Sequence, residues 1–239
     1  PDWRSKTKKQ VIFDLWNQEA VGTAKYGRFR VELTGAFDAS AGGHATLKPP
    51  FVVHVASGSV ASDNINSASL GTTALWSKMG AWNHYAITMQ NTGSNSEIKL
   101  YVNGVLNDHI TTAGLGGTKV TLPKINPLGE KNLVARIGAL RTRTVASANA
   151  TAGAGRLSGS LDEFRFWKVA RNPKQIGENW FTQVRGGANS DISNTTLGVY
   201  YKFNEGITGQ TSTDRVVLDY AGRVTNGSWK GYSASARHT

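Results

Sequence analysis

The sequence predicts an all-β, antiparallel sandwich with one short helix. Three observations predict it. Apolar residues alternate with polar ones over several short runs, which is the period of a half-buried strand. Clusters of Gly, Asn and Ser separate those runs and supply turn chemistry. A single stretch, after Asn172-Pro173, carries a helical period instead.

The strands follow in order. "GRFRVELTG" places Phe29, Val31 and Leu33 on one face and Arg28, Arg30, Glu32 and Thr34 on the other. "FVVHVASG" is a short apolar run closed by Gly58. "WNHYAITMQN" alternates and is broken by "NTGSNS". "EIKLYVNG" puts Ile98, Leu100 and Val102 on one face and ends at Asn103-Gly104. Both of those residues tolerate positive φ, so "VLNDHI" returns antiparallel through a two-residue hairpin. "NLVARIGAL" and "GSLDEFRFWKV" are further strands, separated by a loop of small residues. In "KQIGENWFTQV", Ile176, Trp180 and Val184 stand at i, i+4 and i+8, and Pro173 suits the first helical turn. "LGVYYKFNEG" is a strand, and "VVLDYAGRVTNGSW" reads as strand, turn, strand.

At 239 residues the chain can bury a substantial core without disulfides, and it contains no Cys. It begins Pro1-Asp2-Trp3, without an initiator Met, a signal peptide or a long apolar run, and reads as a piece of a longer protein. The formal charge is +11, concentrated between Lys119 and Arg185, where 12 Lys and Arg face 4 acids (12 − 4 = +8). Those cations are interleaved with small and apolar residues, so they form a solvated basic rim rather than a nucleic-acid tract.

Asp162 and Glu163 pose the question of catalysis. Carboxylates that cleave a glycosidic bond share one space, about 5–9.5 Å apart. Strand neighbours point to opposite faces, and no two acids of the chain stand at i and i+2. Within one strand, therefore, no catalytic pair forms. Asp162 is expected on the face of Phe164 and Phe166, while Glu163 pairs with Arg165 on the other. No His pair has metal-ligand spacing, there is no G-x-S-x-G, and "GLGGTK" lacks the spacing of a phosphate loop.

Two ordered motifs resemble the laminin-G-like jelly rolls of the concanavalin A-like lectin/glucanase superfamily. "SGSLDEFRFWKVARNPKQI" is similar to that family's closing strand and helix, and "AWNHYAITMQN…EIKLYVNG" to its central strand pair. The resemblance spans about Val11 to Val184 and implies a jelly-roll domain over 1–185. Residues 186–239 would then be a linker and a C-terminal connecting segment packed on the same domain. The glucanase signature E-x-D-x-x-E is absent, so the resemblance implies a non-enzymatic module that binds carbohydrate or a cell-surface ligand; the third alternative is a glycoside hydrolase of the same superfamily, with its two carboxylates drawn from different strands. The tail "GVYYKFNEGITG…DRVVLDYAGRVTNGSWKGYSASAR" resembles connecting segments in large structural proteins of tailed bacteriophages. That implies a virion-surface or extracellular location, with other virion proteins as alternative partners, no specific nucleic acid and no membrane insertion.

Expected ligand-binding residues are Trp76 and Lys78 in "TALWSKMG", and Arg141 and Arg143 where the ligand is anionic. Related lectin folds bind Ca2+, for which Asp63 and Asn64 are the candidate ligands, with Asp191 and Asn194 on a second loop. Trp82, Trp167 and Trp180 are expected in the core, and Trp3 and Trp229 against a neighbouring module.

Overall fold

The computed structural model describes residues 10–19, 23, 26–34, 37–38, 46–57, 66–92, 95–111, 132–141, 155–184, 195–206, 213–223 and 225–229. The chain forms two compact units, Pro1–Gly159 and Ser160–Thr239. All described sheets are antiparallel.

In the first unit the strands are β1 (Gln10–Trp16), β2 (Gly27–Leu33), β3 (Phe37–Asp38), β4 (Thr46–Leu47), β5 (Phe51–Ser57), β6 (Asn66–Leu70), β7 (Tyr85–Thr92), β8 (Asn95–Val102), β9 (Val105–Thr111) and β10 (Val134–Ile137). One sheet has the order β10-β1-β2-β5-β6 and another β7-β8-β9, while β3 and β4 pair alone. Register aligns apolar residues across the first sheet: Phe13 faces Val31, which faces Val53, which faces Ala68. The two larger sheets pack face to face. Phe51 of β5 meets Tyr85 of β7 with ring centroids 5.2 Å apart, and Ile98 and Leu100 of β8 are fully buried. The non-consecutive order and the layered packing are those of the predicted antiparallel sandwich.

The other face of the five-stranded sheet is buried as well, although it carries charge. Asp14, Arg30 and His54 lie in one row across β1, β2 and β5. With Arg28 and Glu32 they form a charged layer buried from solvent. Arg28 grips Asp14 at 2.8 and 3.0 Å, Arg30 meets Glu32 at 2.8 Å, and His54 Nε2 lies 3.0 Å from the second Glu32 oxygen. Buried charges persist only where such partners replace water.

The hairpin between β8 and β9 forms as its sequence demands. Asn103 and Gly104 both have positive φ, 48° and 81°, the geometry of a type I′ turn. Asn103 also locks the β7 entry: its N–H donates to the His84 carbonyl, and its Oδ1 accepts the His84 N–H.

The second unit holds β11 (Phe164–Trp167), α1 (Pro173–Asn179), β12 (Leu197–Tyr201), β13 (Val216–Val217) and β14 (Gly227–Ser228). β11 pairs with β12, and β13 with β14. The sequence boundary at 185/186 thus falls between the two partners of one ladder. Leu197, Tyr200 and Ala221 form the core of this unit, covered by Trp167, Val184 and Tyr220.

Helix α1 starts with a capping box. The Asn172 side chain accepts the Gln175 N–H at 2.8 Å, and the Gln175 side chain accepts the Asn172 N–H at 3.1 Å. It stops at Asn179, short of Val184, because Gly177 and Asn179 are weak helix formers. Asn172→Ala is expected to cost about 1 kcal/mol of stability in the second unit, read from urea unfolding.

Candidate functional site

The acids that raised the question of catalysis do not form a pair. The strand begins only at Phe164, because Glu163 has a φ of 53° and turns the chain before it. Asp162 is exposed, off the core face assigned to it, and accepts the Glu163 N–H at 2.9 Å. Glu163 does pair with Arg165, at 3.0 Å, and its same oxygen accepts the Tyr200 hydroxyl. Burial, then that bond and the carboxylate charge, push the Tyr200 phenol up to about 12. The sheet carboxylates Asp14 and Glu32 are likewise engaged by Arg28, Arg30 and His54.

A groove opens at one end of the three-stranded sheet. It has a volume of about 330 Å³ and is lined by Leu75, Lys78, Val102, Asn103, Val105, Leu106 and Asn107. One wall is a 3-10 helix, Thr73–Lys78; the other is the β8–β9 hairpin. The walls are tied together. Asn107 Oδ1 accepts the Thr72 N–H at 3.1 Å, and Asp108 Oδ2 accepts the Gly71 N–H at 2.9 Å. Gly71 is required there: its φ is +98°, and a Cβ would approach Pro50 Cγ to 2.9 Å. The other Asp108 oxygen accepts the His109 N–H. Asn83 Nδ2 donates to the carbonyls of Lys78 and Ala81, and Asn83 Oδ1 accepts from Asn103. The chain carrying Trp82 is therefore pinned to the hairpin.

The aliphatic lining is open to solvent, with Val105 70% exposed and Leu106 47%. Trp82, next to Asn83, is 72% exposed. The sequence placed Trp82 in the core. It lies outside because regular strand starts at Tyr85, so the alternation does not extend back to it. Of the two residues expected from "TALWSKMG", Lys78 is exposed and lines the groove. Trp76 is 6% exposed and donates its indole N–H to the Lys48 carbonyl at 2.6 Å. The aromatic that meets solvent at this end is thus Trp82, not Trp76.

Arg141 is half-buried, and its backbone N–H donates to Asp14 at 2.7 Å, outside the groove lining. Arg143, Asp63, Asn64, Asp191 and Asn194 lie outside the described residues. Among the described residues there is no group of three or more His, Cys, Asp or Glu placed to hold a metal, and no helix long and apolar enough to cross a membrane.

A family model described as the concanavalin A-like lectin/glucanases superfamily matches residues 34–177, more than half of the 239-residue chain. The chain belongs to this superfamily. Its match runs from the end of β2 through the groove elements to α1. Among solved structures, the chain is similar to an S-layer domain-containing protein (residues 221-444) from Clostridium thermocellum, at 18% identity and a TM-score of 0.27. That alignment covers 73% of this chain and 64% of the other. No curated protein matches. The superfamily includes both lectins and glycosidases, so membership leaves the choice between binding and catalysis to the residues themselves.

Proposed function

We infer that the chain is a non-catalytic binding module, and that the groove between the 3-10 helix and the β8–β9 hairpin is its recognition face. The observation that carries this reading is the cross-tied groove, with the exposed Trp82 in the segment that Asn83 ties to the 3-10 helix and the hairpin. An exposed tryptophan is a typical centre of binding energy. Asp14, Glu32 and Glu163 are engaged by Arg28, Arg30, His54, Arg165 and Tyr200, which keeps these three carboxylates from serving as a hydrolytic pair. A general acid or nucleophile needs a carboxylate that can reach substrate.

The family scaffold favours carbohydrate or a cell-surface structure as ligand. Display on a virion or another extracellular surface is part of the proposal and rests on the resemblance of the tail alone. A second reading, docking on another protein of the same particle, is favoured by the aliphatic groove walls. A glycan array, run with Ca2+ and then with chelator, tests the first. Trp82→Ala is expected to change stability by no more than about 0.5 kcal/mol, as a surface substitution does. The same variant should weaken binding at least about tenfold. Saturable glycan binding untouched by Trp82→Ala would move recognition away from this face, and loss of binding in chelator would bring in a metal.

A further inference from the structure

The side-chain amides of the groove tie its own walls together, Asn107 Nδ2 only loosely to the Thr72 hydroxyl at 3.5 Å, which constrains what the groove can hold. Asn103 Oδ1 accepts the His84 N–H, and its Nδ2 donates to Asn83. Asn107 Oδ1 accepts the Thr72 N–H. Both oxygens of neighbouring Asp108 accept backbone N–H groups. What remains is an aliphatic lining, Leu75, Val102, Val105 and Leu106, and one cation, Lys78. Lys78 is exposed and makes no ion pair among the described residues.

A pyranose presents hydroxyls on every edge, and burying them needs several donors and acceptors to replace water. Here the amides of Asn103 and Asn107 are committed in part to the walls, and Lys78 is the lining cation. An aliphatic side chain needs only apolar contact, and a carboxylate beside it would meet a lysine that pairs with no acid among the described residues. The volume, about 330 Å³, is at the small end of ligand pockets, ~300–1,000 Å³, and suits one side chain and its neighbours. Fixed walls add to affinity because little has to be ordered on binding.

We propose that the groove is a protein-docking site that takes an aliphatic side chain of a partner, with an adjacent Asp or Glu of that partner on Lys78. The proposal rests on the binding-module reading and names the partner's chemistry. The carbohydrate reading of the same face becomes an outcome of its test.

The experiment is a titration of the 15N-labelled chain, followed by amide shifts, with three blocked tripeptides: acetyl-Glu-Leu-Glu-amide, acetyl-Gln-Leu-Gln-amide and acetyl-Glu-Gly-Glu-amide. Cellotriose and glucuronic acid serve as sugar comparators. The first peptide is expected to shift Lys78, Val105, Leu106 and Asn107 saturably. The glutamine peptide should bind these residues about two- to fivefold more weakly, the effect of one exposed ion pair. The glycine peptide should not bind. In Lys78→Gln the first two peptides should become equal, with the spectrum elsewhere unchanged as proof of folding. Equal affinity of the first two peptides for the unaltered chain overturns the charge pairing, and no groove shifts with either overturns the proposal. If a sugar shifts the groove while the peptides do not, the docking proposal fails and the binding-module reading stands. If neither peptides nor sugars act and the glycan array is blank, both fail.

Discussion

Asp14→Ala is expected to lower the unfolding free energy of the first unit by about 3–5 kcal/mol, among the largest effects of any single substitution in it. Asp14 is 0% exposed and sits in the middle of β1. Its two oxygens accept Arg28 Nε at 2.8 Å and Nη2 at 3.0 Å, and the second also accepts the Arg141 N–H at 2.7 Å. One carboxylate thus joins β1, β2 and the turn after β10. Alanine would leave a buried guanidinium without this counterion and a backbone donor without its acceptor, and each carries a desolvation cost. The cause can be separated from general disruption. Asp14→Leu combined with Arg28→Met removes both charges and restores apolar volume, so it should recover most of the loss. Urea denaturation of the two variants checks this. If the double variant is as unstable as Asp14→Ala, the loss comes from sheet geometry or the Arg141 contact, not from the stranded charge.

That ion pair also marks where the sequence is silent. Local alternation placed β2, β7 and β8, an apolar run closed by Gly58 placed β5, and the Asn103-Gly104 turn placed β9, because each carries its own local signal. Asn103-Gly104 fixed the hairpin that makes one wall of the groove. Alternation assigns no partner to the charged positions of "GRFRVEL", since the partners of Arg28 and Glu32 stand on β1 and β5, distant in the chain. β6, "NSASL", is built of small and polar residues and has no readable period; its place comes from pairing with β5. Trp82 was misread for a related reason, because a pattern does not announce where regular strand begins. The groove itself was half legible. "TALWSKMG" was expected to bind ligand through Trp76 and Lys78, of which only Lys78 lines the groove, and Val105 and Leu106 read as ordinary strand positions until the fold left their side chains facing solvent.

Tyr200→Phe is expected to cost about 1.5–3 kcal/mol at neutral pH in the second unit, the worth of a hydrogen bond to a charged acceptor. Tyr200 is fully buried in the core with Leu197 and Ala221. Its hydroxyl donates to Glu163, the residue whose positive φ launches β11, while Arg165 lies over its ring at 5.3 Å. The same bond gives the unit an alkaline limit. Burial first, then the Glu163 carboxylate, raise the phenol from 10.0 to about 12, so the folded state holds this proton more tightly than the unfolded chain does. Below pH 10 both states keep the proton, and stability owes no pH dependence to it. Between pH 10 and about 12 the unfolded chain releases it while the folded unit retains it, so stability falls as pH rises. Above 12 both have lost it, and the contribution is gone. Burial also raises Tyr201 in this unit, so the test is a difference. The stability-against-pH curve of Tyr200→Phe should be shallower than that of the unaltered chain by up to one proton between pH 10 and 12. Parallel curves would mean that Tyr200 gives up its proton as readily folded as unfolded, and that the Glu163 contact does not hold it.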